Sequence, residues 1–311
     1  MKTPRAPHAR PGWRARVASL GVTVLATATA VVAATAPAAP AAPAAPAAAP
    51  AAPSSGWNDW GCRPSAAHPE PVVLLHGLGG QAVSNWFYHG TRLAAAGYCV
   101  YSTTYGQGAF GDLVGGLGSM RTSARQVDAF VDRVRTATGA AEVDLVGHSE
   151  GTTVAAYYLK YEGGAAKVKD FVGFGSNYRG TSLSGLGTLA KAVLPLLPDV
   201  TEFVRSQCAS CLEFLGPNAF LDDLARGGFT VPGVAYTNIM SRYDTVVTPY
   251  TSGRIDEPGV TNIVLQDRCG LDLSGHLAMA VDPNVNLLIQ RALDPQAPPP
   301  FRCRPALPAP F

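Results

Sequence analysis

VDLVGHSEGTTVAAYYLKY, residues 143–161, predicts a strand, a sharp turn and a helix in direct succession. The apolar run at its start has the length of a buried strand, and the residues after the turn have helical spacing. At the turn, Gly147 and Gly151 flank Ser149, and only such small neighbours tolerate the strained backbone that exposes a central hydroxyl. One Gly-x-Ser-x-Gly is weak evidence in a chain with 33 glycines, so the remaining sequence has to supply the context.

Short apolar runs alternate with helical patterns after residue 70. The candidate strands are PVVLLHG, YCVYSTTYG, VDLVG, KDFVGFGS, VAYTNIMS and VTNIVLQ, and residues 84–96 and 119–138 are candidate helices. This alternation predicts an α/β fold with a mostly parallel central sheet covered by helices on both faces. Ligands of such sheets bind beyond the carboxyl ends of the strands. We expect one domain over residues 56–311.

The N-terminal region differs in composition from this domain. Residues 1–34 are typical of a signal peptide, because cationic residues without any acid precede an apolar stretch. The alternative is a membrane anchor, since the apolar run is borderline in length for a bilayer. Residues 35–55 consist mostly of alanine and proline, which predicts a semi-rigid extended linker. The expected location of the mature protein is extracellular.

Charge and cysteine content agree with export. Removal of residues 1–34 changes the formal net charge from +2 to −3, and nothing in the remainder favours nucleic acid. Six cysteines in an exported chain suggest three disulfides, and we expect Cys62–Cys99, Cys208–Cys211 and Cys269–Cys303 among the many pairings allowed. Cys208 and Cys211 could instead be redox-active or half a zinc site, but no second such pair exists, so no metal is expected.

No oligomer signal is visible in the sequence, and we expect a monomer.

A serine hydroxyl is a poor nucleophile at neutral pH and needs a base, for which imidazole is suited. Of the six histidines, only His276 follows Ser149 in the chain. If the order is nucleophile, acid, base, His276 is the base. The acid is predicted to be Asp244, because a strand ending in SRYD would present its carboxylate rigidly. Asp267 is the rival, since it also is expected to end a strand and is closer in sequence to His276.

Attack by serine on a carbonyl creates an oxyanion, which backbone N–H groups can stabilise. The residue after the nucleophile, Glu150, supplies one predicted donor. The other is assigned to Leu78, in the glycine-rich turn HGLGG at residues 76–80. A phosphate-binding loop is not favoured there, because the Lys-Ser/Thr ending is missing.

Five segments together resemble the secreted class 2 lipases of the α/β-hydrolase superfamily, especially those of actinobacteria. The matching segments are PVVLLHGLGG, NWFY, VDLVGHSEG, SRYDTVVTPY and LSGHLAM. The resemblance implies an α/β-hydrolase fold, hydrolysis of acyl esters and no cofactor. It assigns the triad to Ser149, Asp244 and His276, and the oxyanion donors to the N–H groups of Leu78 and Glu150.

Glu150 departs from this family, in which Gln or Met is commoner at that position. A carboxylate at a helix N-terminus is favourable by up to about 1 kcal/mol, but a buried one beside a developing oxyanion is unfavourable. We therefore expect the Glu150 side chain to point to solvent, and we leave open that it lowers activity on anionic substrates.

Residues 183–215 are predicted to form either a lid over the site or a helix packed on the core. This segment begins with an apolar stripe that glycines and prolines interrupt. A disulfide between Cys208 and Cys211 would hold its base in place. A lid would open at a lipid surface.

The sequence as a whole predicts an exported serine hydrolase that acts on carboxylic esters, either a triacylglycerol lipase or an esterase. Its expected partners are an ester substrate and a lipid interface. A phospholipase, a polyester depolymerase or an acyltransferase would use the same triad. Outside the enzymes, the alternative is a cell-wall binding protein without turnover.

Overall fold

The computed structural model describes residues 56–308. The predicted signal peptide and linker, residues 1–34 and 35–55, lie outside this range. Within it, none of the helices combines the length and the apolar character that a bilayer-spanning segment requires.

Seven parallel strands form one sheet in the order β1-β3-β2-β4-β5-β6-β7. The strands are β1 Gly56–Trp57, β2 Val72–Leu75, β3 Cys99–Ser102, β4 Val143–His148, β5 Val168–Phe174, β6 Ala235–Met240 and β7 Val260–Val264. All six strands expected from the apolar runs are present. The sequence pattern did not predict β1, which is too short to carry a periodic signal.

Nine α-helices lie within the described range. They are α1 Phe87–Ala95, α2 Met120–Thr138, α3 Glu150–Tyr161, α4 Leu186–Val193, α5 Pro198–Gln207, α6 Ala209–Glu213, α7 Ala219–Ala225, α8 Leu265–Arg268 and α9 Pro283–Leu293. The helix predicted over residues 84–96 is shorter at its N-terminal end, and the one predicted over residues 119–138 begins one residue later.

Two hydrophobic cores lie on opposite faces of the sheet. Side chains alternate between the faces along each strand, so Val73 and Leu75 belong to one core while Val72 and Leu74 belong to the other. Helices α2 and α3 cover the first face, and α1 and α9 contribute to the second. The prediction of a mostly parallel sheet with helices on both faces is confirmed.

The structure contains the three expected disulfides, Cys62–Cys99, Cys208–Cys211 and Cys269–Cys303. The first ties the segment after β1 to strand β3. The second links Cys208, immediately before α6, to Cys211 within α6, near the end of the segment for which a lid was considered. The third ties the C-terminal tail to the loop after α8.

Candidate active site

Ser149 lies on the turn between β4 and α3 with φ 54° and ψ −122°, a backbone conformation that a non-glycine residue adopts only under strain. Its neighbours have to be small. A Cβ atom on Gly151 would lie 2.0 Å from the carbonyl oxygen of Leu75, and one on Gly147 would lie 2.9 Å from the backbone of Gly151. The close packing of α3 against β2 and β4 therefore requires the two glycines predicted from the sequence.

The structure brings Ser149, His276 and Asp244 together. Nε2 of His276 lies 2.8 Å from Oγ of Ser149, and Nδ1 of His276 lies 2.7 Å from Oδ2 of Asp244. The three residues are only 8%, 4% and 6% exposed, respectively. A carboxylate on one ring nitrogen fixes the imidazole tautomer that leaves the other nitrogen free to accept the serine proton.

Asp244 is positioned by a turn and not by a strand end. Strand β6 ends at Met240, and the Asp244 carboxylate is oriented by its own loop. Oδ1 accepts hydrogen bonds from the backbone N–H groups of Val246 and Val247, at 2.9 and 2.7 Å. Oδ2 remains directed at His276. The expectation of direct strand support was wrong, because two backbone donors supply the rigidity instead.

Asp267 is not at a strand end either, because it lies within the short helix α8. Its carboxylate forms an ion pair with Arg242 at 2.5 Å, and its side chain is 58% exposed. The Asp267 carboxylate thus pairs with Arg242 at the surface and does not contact His276.

Leu78 lies in the turn after β2, beside the nucleophile turn. This turn is held by reciprocal backbone hydrogen bonds, from Gly79 N–H to the Gly115 oxygen at 3.0 Å and from Gly115 N–H to the Gly80 oxygen at 2.8 Å. The N–H groups of Leu78 and Glu150 donate to no acceptor among residues 56–308. Two unpaired donors near Oγ of Ser149 suit an oxyanion.

The Glu150 side chain does not point to solvent, so that expectation was wrong. It is fully buried beneath the loop that contains Gly116. Burial raises the pKa of Glu150 well above its usual range, and the negative charge of Glu213 raises it further. The expectation treated the start of α3 as an exposed helix end, whereas Gly116 and Leu78 pack over it.

Asn85 and His148 form a link that the sequence reasoning missed. Oδ1 of Asn85 accepts from the backbone N–H of Gly77 at 3.1 Å and lies 3.0 Å from Nδ1 of His148. Nε2 of His148 lies 3.2 Å from the carbonyl oxygen of His276. Burial lowers the pKa of His148 well below its usual value, so the ring is neutral and donates one proton. Asn85 belongs to the NWFY segment, one of the five segments that resemble the class 2 lipases. That resemblance was the signal in the sequence that could have identified Asn85 as a site residue.

A cavity of about 620 Å³ opens onto Ser149 and His276. Its walls are mostly apolar, and they include Leu183, Leu186, Phe214, Val247, Leu277 and Val281. No Asp, Glu, Lys or Arg side chain lines this cavity in the described part of the chain. The same part contains no group of three or more His, Cys, Asp or Glu side chains arranged to hold a metal ion.

The parallel sheet, the helices on both faces and the nucleophile turn define an α/β-hydrolase fold. A family model described as "Lipase (class 2)" matches residues 69–288, which is more than half of the chain. The chain therefore belongs to the class 2 lipases, a family of carboxylic ester hydrolases.

Solved structures of two lipases are similar to this chain. Lipase B of Aspergillus fumigatus has 20% sequence identity and a TM-score of 0.57, with 75% of this chain and 53% of that protein covered. The mature form of the Bacillus licheniformis lipase BlEst2 has 14% identity and a TM-score of 0.54, with 74% and 94% covered. This chain thus spans about half the length of the fungal lipase. At these identities the likeness concerns the fold.

Proposed function

We propose that this protein is a secreted serine hydrolase that cleaves carboxylic esters of lipids through Ser149, His276 and Asp244. The observation that carries the proposal is the chain of two hydrogen bonds, 2.8 and 2.7 Å long, that joins these three side chains at the edge of an apolar cavity. A buried nucleophile, base and acid in this arrangement are suited to acyl transfer.

In the proposed reaction, Oγ of Ser149 attacks the ester carbonyl while Nε2 of His276 takes its proton. Asp244 holds the imidazole in the required tautomer and stabilises the cation that forms. The N–H groups of Leu78 and Glu150 donate to the oxyanion, and each such donor contributes about 2.7–4 kcal/mol.

Collapse of the tetrahedral intermediate expels the alcohol, which receives its proton from His276 and leaves an acyl group on Ser149. His276 then removes a proton from water, which attacks the acyl carbonyl. The second intermediate collapses to the carboxylic acid and regenerates Ser149.

The cavity favours an uncharged substrate with an acyl chain. Its wall contains aliphatic and aromatic side chains such as Leu183, Phe214 and Val281, and no charged side chain of the described residues that would pair with a phosphate. Burial of each methylene group there contributes about 0.8 kcal/mol. This supports a triacylglycerol lipase or esterase before a phospholipase.

Helices α4 and α5 are proposed to act as a lid. Leu183, Leu186 and Ala190 line the cavity, yet many apolar side chains of this segment face outward. The most exposed are Leu186, Leu189, Leu196 and Phe203, at 72%, 62%, 76% and 66%. Apolar surface of this kind on a soluble protein is typical of an interaction site, here a lipid surface. A rise in activity above the solubility limit of the substrate tests the lid.

Export is proposed from residues 1–34 and is supported by the three disulfides of the domain. We expect cleavage after Ala34. Mass spectrometry of the protein from the culture medium should find Thr35 at the N-terminus, and an intact residue 1 on a membrane-bound protein would indicate an anchor instead.

The principal test is hydrolysis of p-nitrophenyl esters from acetate to palmitate by the mature protein, with and without a serine-directed phosphonate. We expect turnover that stops when the phosphonate labels the Ser149 peptide, and no turnover by Ser149→Ala. The chain-length profile separates a lipase from a short-chain esterase. Labelling without turnover would favour acyl transfer, and the absence of both would contradict the proposed function.

A further inference from the structure

The Glu150 carboxyl group lies directly behind the turn that carries Leu78. A methyl group built on Gly116 would lie 2.7 Å from Oε2 of Glu150 and 3.1 Å from Cα of Leu78. Gly116 also has a φ of 73°, a conformation that favours glycine. The loop at Gly116, the carboxyl group and the Leu78 turn are therefore packed together without room for another methyl group.

This packing connects Glu150 to both proposed oxyanion donors. Its own N–H is one donor, and its side chain supports the loop to which the Leu78 turn is bound. Reciprocal hydrogen bonds between Gly115 and residues 79 and 80 join that loop to the turn. From the other side, Oγ of Ser210 donates to the Gly116 carbonyl at 2.5 Å. A displacement of the carboxyl group would thus move the turn that carries Leu78.

The surroundings of the carboxyl group disfavour a negative charge. Both Oε1 and Oε2 are buried and lack a hydrogen-bond partner among the residues that the structure describes, and no ion pair to Glu150 occurs there. Burial is the main cause of its raised pKa. At neutral pH the side chain is accordingly an uncharged acid, which costs far less to bury than a carboxylate.

The titratable groups on the elements around Glu150 add no positive charge. Burial lowers the pKa of His76, on the Leu78 turn, to about 4, so this ring is neutral. Burial raises the pKa of Tyr105, on the loop after β3, well above its usual value. Glu213 on α6 accepts hydrogen bonds from Oγ of Ser119 and N–H of Met120, both at 2.7 Å, and its charge opposes ionisation of Glu150.

We propose that Glu150 is a positioning residue for the oxyanion hole: the uncharged acid supports the Leu78 turn, and the carboxylate disables it. This inference rests on the proposed function. Ionisation removes a proton to solvent and leaves a negative charge behind the two donors, where it repels the developing oxyanion. The carboxylate is also more stable in contact with water than in a buried position. Its movement towards water disturbs its packing against Gly116 and Leu78. Hydrolysis therefore fails at alkaline pH when Glu150 loses its proton.

The test compares the wild type with Glu150→Gln, which keeps the shape of the side chain and cannot ionise. We expect kcat of the wild type on a neutral short-chain ester to fall by at least about tenfold along an alkaline ionisation, as weakening of one oxyanion donor requires. KM should change much less, because the oxyanion exists only after attack. In Glu150→Gln this decrease should be absent.

Glu213→Gln is the matched second variant, because it removes a carboxylate near Glu150 and leaves Glu150 in place. Without the charge of Glu213, Glu150 loses its proton more readily, so the alkaline decrease in kcat should move to lower pH. The two substitutions are thus expected to shift the profile in opposite directions. Equal alkaline profiles for the wild type and Glu150→Gln, or a shift to higher pH in Glu213→Gln, would overturn the inference.

An infrared difference spectrum between the wild type and Glu150→Gln gives a readout that needs no catalysis. We expect the carbonyl band of a protonated carboxyl group at neutral pH, and its loss over the pH range in which kcat decreases. A carboxylate signal at neutral pH would contradict the inference. If the wild type neither hydrolyses esters nor reacts with the phosphonate, the proposed function fails and this inference fails with it. If it does both but the band is missing, only the inference fails.

Discussion

The site contains two regions of different construction, the buried residues around Ser149 and the segment from residue 183 to 215. In the first region, Ser149, His276 and Asp244 are buried and joined by hydrogen bonds. In the second, α4 and α5 contact chiefly their neighbours in sequence and expose many apolar side chains. Rigid elements position reacting atoms, whereas weakly packed elements can move and adapt to a substrate.

The largest effect is expected from Asp244→Asn, which tests the rigid region. The substitution keeps the geometry but favours the wrong imidazole tautomer, so kcat should fall by about 10⁴-fold. Asp267→Asn is the matched control, because Asp267 contacts Arg242 at the surface and should leave kcat within about twofold. Steady-state kinetics on one soluble ester measures both. A larger loss in Asp267→Asn would mean that the acid was assigned incorrectly.

The next effect concerns the stability of the nucleophile turn. Gly151→Ala would place a methyl group 2.0 Å from the Leu75 carbonyl oxygen, so we expect the free energy of unfolding to fall by more than about 3 kcal/mol. Gly139→Ala is the control. Gly139 also has a positive φ, 76°, but a Cβ atom added to it would meet no atom of the described residues within 4 Å. Only the backbone conformation opposes alanine there, at a cost of about 1–2 kcal/mol. Urea denaturation compares the two, and equal losses would show that the rigid region can relax.

The smallest effect is expected in the exposed segment. Phe203→Ser removes an apolar side chain that is 66% exposed, and we expect severalfold lower activity on emulsified triacylglycerol with little change on a soluble ester. Leu307→Ser is the control, because Leu307 is also strongly exposed, at 81%, but lies in the C-terminal tail and not in the segment from residue 183 to 215. It should change neither activity. Equal losses on both substrates in Phe203→Ser would mean that the segment supports the fold and not contact with lipid.

The sequence indicated the three residues that the structure brings together, because local rules limit the choice. The nucleophile turn needs Gly147 and Gly151, and chain order leaves His276 as the only histidine after Ser149. The core strands were recognisable because each is a short apolar run between turn residues. These signals depend on neighbours in sequence, so one chain is sufficient to find them.

Features that depend on distant parts of the chain could not be predicted in this way. The burial of Glu150 results from the loop at Gly116, which lies far from it in sequence. The Asn85–His148 link joins residues 63 positions apart. Asp244 was found, but its support by Val246 and Val247 depends on how the loop turns. In each case the decisive contact is a property of the folded chain and not of a local pattern.

The two long-range disulfides hold the described domain near both of its ends. Cys62–Cys99 fastens the chain shortly after β1, and Cys269–Cys303 fastens the tail shortly before residue 308. Exopeptidases and unfolding both begin at frayed ends, and terminal segments are the usual sites of proteolytic attack. Trimming from the N-terminal side is therefore expected to stop at Cys62, after β1, and trimming from the C-terminal side at Cys303, so that strands β2 to β7 stay intact.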